Sequence, residues 1–210
     1  FKAFIVTRIS DIFLMIAFFL IYQKYQTFNF QEIKLLLKYS IEHDYSLYFI
    51  NICLFIGIIG KSAQLPLQTW LTSAMVGPTP VSALIHAATM VTAGIYLISR
   101  NYFLFIPTPE VLYCISIIGV LTILISSFSA LAQNNIKRIL AYSTMSQIGY
   151  MFLALGVQAW GAAIIHLITH AVFKALLFLS AGSLIIHCHN EKNIFNMKCS
   201  YKTIPFLYLN

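Results

Sequence analysis

The 210 residues of this chain predict an all-α fold, a polytopic transmembrane helix bundle of about six spans with one broken helix. Three observations carry that prediction. The composition is 60% hydrophobic and only 9% charged. Its apolar runs are mostly long enough to cross a hydrocarbon core of about 30 Å. Two lysines, Lys61 and Lys174, sit deep inside two of those runs. A charge near the bilayer centre is expensive, so it usually faces a bundle interior or a wet cavity, where it commonly marks an ion or proton route.

The runs cover residues 9–22, 47–71, 81–99, 111–132, 141–157 and 162–186. The first is the shortest and is bounded by Asp11 and Lys24, which places Asp11 at a span end, as Glu110 is at the start of the fourth. Residues 23–46 form the one long predicted exposed segment, with Lys34, Lys38, Glu42 and Asp44. Within it, residues 31–39 suit a short helix whose Ile33, Leu36 and Leu37 lie on the membrane surface or a neighbour. No room remains for a soluble catalytic domain.

The second run reads LFIGIIGKSAQLPLQTWL, with Gly57 and Gly60 before Lys61 and Pro66 after it. Proline lacks a backbone donor and clashes with the preceding turn, so a kink or break falls near residues 62–66. Ser62, Gln64 and Gln68 can satisfy the freed backbone groups, directly or through water. The bland alternative for Lys61 is a snorkelling interface residue. The chemical use of a buried amine is that burial favours its neutral form and an approaching carboxylate its charged form, so a small change can move a proton.

The third run, GPTPVSALIHAATMVTAG, opens with prolines that a first helical turn tolerates and continues with small residues that allow close packing. His86 within it is either a hydrogen-bonded packing residue or a proton relay. In the sixth, IHLITHAVFKALLFLSAG, His166, His170 and Lys174 recur every four residues, about 6 Å apart along one helical stripe. Interhelical hydrogen bonding is the alternative to stepwise proton passage. In the fifth, Lys137 and Arg138 are expected at headgroup level, and Ser143, Thr144, Ser146 and Gln147 could line a water entrance. Trp70 and Trp160 suit interface anchors.

The net charge of +7 is scattered between runs, which excludes a nucleic-acid face. Counting alternate sides puts Lys2, Arg8, Lys137, Arg138, Lys192, Lys198 and Lys202 with both ends, against Lys24, Lys34, Lys38 and Arg100 opposite. The richer side faces the cytoplasm or a mitochondrial matrix. Cys53, Cys114, Cys188 and Cys199 have no paired metal-ligand spacing, and Cys188 between His187 and His189 cannot converge on a metal from one helical face. The chain opens on Phe1 without a secretory cleavage pattern, as expected of a processed product, a fragment or part of a longer protein.

Four motifs, GKSAQ at 60–64, GPTPVSALIHAATM at 77–90, NIKRILAYSTMSQIG at 135–149 and HAVFKALLFLSAG at 170–182, resemble the antiporter-like proton channel family of respiratory NADH:quinone oxidoreductase. The likeness extends over residues 1–210, and the best fit is to the mitochondrial branch of its distal membrane-arm member. It implies a subunit of respiratory complex I in the mitochondrial inner membrane, with both ends of the segment on the matrix side. Its partners would be the other membrane-arm subunits, protons, and lipids including cardiolipin. NADH, FMN, iron–sulfur clusters and ubiquinone would lie elsewhere in the assembly, with no cofactor or metal in this chain.

The resemblance makes Lys61 the central proton-carrying lysine of a broken helix and places His86, His170 and Lys174 on a hydrophilic axis. The regular spacing adds His166. The family's complete subunit has further helices on both sides, one upstream bearing a glutamate that pairs with the Lys61 position. Residues 1–210 would then be an incomplete antiporter-like domain, its acid supplied from outside. Gln68, Thr72 and Lys198–Cys199 depart from the family pattern, which suits a divergent or split subunit completed by a separate chain. A bacterial respiratory subunit, a subunit of a multi-subunit sodium/proton antiporter and a noncatalytic scaffold are the alternatives.

Overall fold

The computed structural model describes residues 2–38, 45–87 and 89–197. The expectations attached to Tyr39, Glu42, Asp44, Lys198, Cys199 and Lys202 fall outside the described residues.

The fold is an all-α bundle. Helix α1, Lys2–Tyr25, is longer than its predicted run at both ends. Its early polar residues do not interrupt it, because Thr7 donates to the carbonyl of Ala3 (2.9 Å) and Ser10 to that of Thr7 (2.6 Å). Asp11 consequently lies well inside a helix rather than at its edge. Helix α2, Phe30–Lys38, is started by Asn29, whose side-chain oxygen accepts from the Gln31 N–H (3.1 Å) while its amide reaches Glu32 (3.0 Å).

Helix α3, Tyr45–Lys61, stops at the lysine, and a short α4, Thr69–Ser73, resumes after the proline segment and ends in a 3-10 turn, Ala74–Val76. The predicted break is therefore present at residues 62–68. A second break, which the sequence reading did not place, divides the third run into α5, Thr79–Ala87, and α6, Ala93–Arg100. Here Thr89 and Thr92 turn their hydroxyls onto the carbonyls of Leu84 (2.8 Å) and Thr89 (3.1 Å), a local competition with helical pairing.

A one-turn α7, Tyr102–Phe105, leads to α8, Pro109–Leu131, then α9, Ile136–Gly156, and α10, Trp160–His187. Asn51 ties α3 to the α7–α8 link through the carbonyl of Leu104 (2.7 Å) and the hydroxyl of Thr108 (2.9 Å). Helices α8 and α9 meet backbone to backbone at Gly119 and Gly149, where an added Cβ on either would lie 2.9 Å from the other's carbonyl oxygen.

Among the described residues, three helices are long and apolar enough to cross a membrane: Ala3–Tyr25, Pro109–Leu131 and Trp160–His187. Six uninterrupted spans are not formed. The second and third runs are each divided, and the first half of α9 carries Lys137, Arg138 and the polar residues Ser143, Thr144, Ser146 and Gln147.

Candidate functional site

The first cluster forms where α1 passes the end of α3. Gly57 and Gly60 lie one turn apart on the face toward α1, and a Cβ on either would collide with Leu14 or Ser10 respectively. Small residues thus let the two backbones approach closely. That approach brings Asp11 Oδ1 to 2.6 Å from Lys61 Nζ, with about 30% of each side chain exposed (29% and 30%). The placing of Asp11 at a span end is corrected: the first apolar run begins at Ile9, but α1 starts at Lys2, so these residues carry one acidic partner of Lys61 themselves.

Beyond Lys61 the chain turns sharply, with Ala63 in the left-handed region (φ 50°). The break is held from three directions. Trp70 donates its indole N–H to the Gly60 carbonyl (2.9 Å), which places this buried tryptophan in the core instead of at the interface. Gln64 accepts from Thr122 of α8 (2.7 Å) and donates to the Ser62 carbonyl (3.2 Å). Gly94 of α6 abuts Ser62 and Ile58 so closely that a Cβ would overlap them. A cavity of about 220 Å³ opens beside the break, lined by Gln68, Thr69, Thr72, Ser126 and Tyr142 among others. Gln68 Oε1 and Ser62 Oγ are buried with no protein partner.

The second cluster lies among α5, α9 and α10. His166 Nε2 pairs with Gln147 Oε1 (2.9 Å), the His166 and His170 rings stack with centroids 6.4 Å apart, and Lys174 donates to the Ser143 hydroxyl. Lys174 is 2% exposed, and His170 and His86 are also buried. His86 stacks on Phe178 of α10, ring centroids 5.3 Å apart. Both ring nitrogens of His86 and of His170 lack protein partners, so each needs water or a transient proton partner if it is not to incur a desolvation cost.

Of the five residues singled out in the sequence, His166, His170 and Lys174 lie on α10, and His86 packs against that helix through Phe178. Lys61 belongs to the separate pair with Asp11. Polar groups of the helix break, Ser62, Gln64 and Thr122, add hydrogen-bonding capacity at the level where α3 stops. Lys137 is not a headgroup anchor: it is 5% exposed and donates to the Gly77 carbonyl (3.1 Å), fastening the start of α9 to the link between the 3-10 turn and α5. No group of three or more potential metal-ligating side chains occurs among the described residues.

A family model described as NADH:quinone oxidoreductase/Mrp antiporter, TM, matches residues 1–210. The chain is 68% identical over 210 residues to NADH-quinone oxidoreductase subunit L of Buchnera aphidicola subsp. Schizaphis graminum, covering 100% of this chain and 34% of that protein. It is 60% identical over 209 residues to subunit L of Escherichia coli strain K12, covering 99% and 34%. The chain therefore spans about a third of the length of these relatives. Among solved structures, it superposes on the Mrp complex from Dietzia sp. DQ12-45-1b with a TM-score of 0.79 at 34% identity, over 89% of this chain and 21% of that one. It superposes on the membrane-bound sulfane sulfur reductase, an archaeal respiratory membrane complex, with a TM-score of 0.82 at 26% identity, over 98% and 43%. These relatives overturn the mitochondrial assignment and its inner-membrane, matrix-facing location: the similarity is to bacterial subunit L. In this chain the motifs build the helix break and surround the buried lysines, which is a requirement of the fold and not of a particular compartment.

Proposed function

The chain belongs to the NADH:quinone oxidoreductase/Mrp antiporter transmembrane family, and from that premise we propose that it is part of a membrane-arm subunit that moves protons in a bacterial membrane, coupled to electron transfer from NADH to quinone. The observation that carries the reading is the Asp11–Lys61 pair, set between two apolar helices at the point where one of them breaks. Such a pair has two states. When Asp11 is ionised it holds the ammonium, and when Asp11 takes up a proton the attraction is lost and Lys61 can release its own.

The His166–His170–Lys174 stripe and His86 supply the next sites, with water closing gaps that no hydrogen bond spans. The redox groups lie in partner subunits, and other membrane-arm subunits complete the assembly. In this reading the α3–α4 and α5–α6 pairs are broken crossings, and α9 is a crossing with a polar entrance, which brings the total to six.

Asp11→Asn in the full-length protein tests the reading. Assembled, reconstituted complexes should retain NADH oxidation with an uncoupler while proton flux per electron falls. Unchanged flux per electron would reject the pair as part of the route. Similarity to the solved Mrp complex favours sodium/proton exchange as the second reading. It predicts that flux in the unmodified complex depends on sodium, whereas the proton reading predicts the same flux in potassium-only buffer.

A further inference from the structure

We propose a binding site for an anionic glycerophospholipid at the edge of the bundle where α1, α2, α6 and the start of α10 meet. Two apolar grooves flank the end of α6 and share Tyr96 and Arg100. One, of about 370 Å³, runs between α1, α2 and α6 and is walled by Phe18, Ile21, Ile33 and Leu97. The other, of about 600 Å³, runs between α6 and α10 past Trp160, Gly161 and Ile165. Their walls are almost wholly hydrocarbon and aromatic. A two-chain lipid has this form: a charged head above two separate apolar tails.

The head position is marked by charge and by aromatic residues. The Arg100 guanidinium lies over the Phe30 ring at 5.2 Å, and Lys34 Nζ donates to the Tyr102 hydroxyl (2.9 Å) and lies 5.4 Å from that ring's centroid. Neither cation is ion-paired with a carboxylate among the described residues, and both are exposed. Tyr102 also packs against Trp160, centroids 6.0 Å apart. Tyr, Trp, Lys and Arg together mark the headgroup level of a membrane, and α2, with Leu35 and Leu36 exposed beside its lysines, lies along it. Two basic residues above apolar grooves select a negative headgroup over a zwitterionic one.

Gly161 makes one groove open. A Cβ there would meet nothing within 4 Å, so a larger side chain would enter the groove without disturbing the packing.

The test uses the full-length protein in its assembled complex, labelled with a phosphatidylglycerol that carries a photoreactive group in its acyl chain. Labelled peptides are then read by mass spectrometry. Labels should fall on the peptides containing Tyr96 and Ile165, and unlabelled phosphatidylglycerol should compete better than phosphatidylcholine. Arg100→Gln should lower that preference about fivefold, the worth of one basic residue near an anionic surface. Arg138→Gln, on the opposite side, should leave it unchanged. Gly161→Leu should abolish label on the α10 peptide and retain it at Tyr96. Equal competition by the two lipids, or an unchanged preference in Arg100→Gln, would overturn the proposal. So would the absence of label at both peptides, which would mean that another segment of the longer polypeptide or a partner subunit covers the grooves.

Discussion

At the scale of single residues, the proposed role of Lys61 requires that it give up a proton as well as hold one. Arginine separates these two properties, because it keeps the charge and the contact with Asp11 but stays protonated throughout the accessible pH range. Lys61→Arg should therefore assemble normally, and the flux carried by this subunit should fall by about 10²-fold or more, the usual worth of a positioned proton-transfer group. Proton flux per electron in reconstituted complexes measures it, and near-normal flux would mean that Lys61 serves only as a fixed charge. Lys137 should behave in the opposite way. Its amine satisfies a carbonyl at a helix link, so Lys137→Ala should destabilise by about 1–3 kcal/mol, seen as a lower melting temperature, with flux per electron kept in the complexes that remain folded. The place of Lys61 at a helix break was legible because a lysine within an apolar run is rare and Pro66 follows it. The burial of Lys137 was not, because a lysine next to Arg138 at the start of a run reads as a membrane-surface pair, and only the fold brings Gly77 to it.

At the scale of elements, the two helix breaks show what a sequence can and cannot announce. The break after Lys61 has a proline and two nearby glycines to declare it. The one between α5 and α6 rests on threonine hydroxyls that bond back to the chain, a habit threonine also shows within unbroken helices, so no local signal distinguishes it. Asp11 shows the same limit, because the end of an apolar run is not the end of a helix. Packing of α8 on α9 couples to the first break through Thr122, which bonds Gln64 and sits where a Cβ on Gly149 would come within 2.7 Å. Gly149→Ala should thus displace Thr122 from Gln64 as well as spread the helices, at a cost of about 1–3 kcal/mol for overpacking. Thr122→Ala placed in the same background should recover part of that stability by making room for the methyl group. A Gly149→Ala protein with unaltered melting temperature would contradict the close approach.

At the scale of the whole molecule, the Asp11–Lys61 pair and the His86–Lys174 group belong to different helix contacts, and no hydrogen bond among the described residues joins them. Stability and transport should therefore respond differently to paired substitutions. For melting temperature, Lys61→Ala and Lys174→Ala should combine additively, within about 0.5 kcal/mol, as expected of sites that share no partner. Asp11→Asn with Lys61→Ala should instead be less destabilising than the sum of its parts, because the second change removes a charge that the first left without its counterion. For proton flux, the two clusters lie in series in the proposed route, and interrupting either one stops the same current. The Lys61→Ala/Lys174→Ala protein should consequently pump no worse than the more impaired single variant. If each single variant keeps a substantial flux and the double loses it, the clusters conduct in parallel, and the single continuous route gives way to two independent ones within the same subunit.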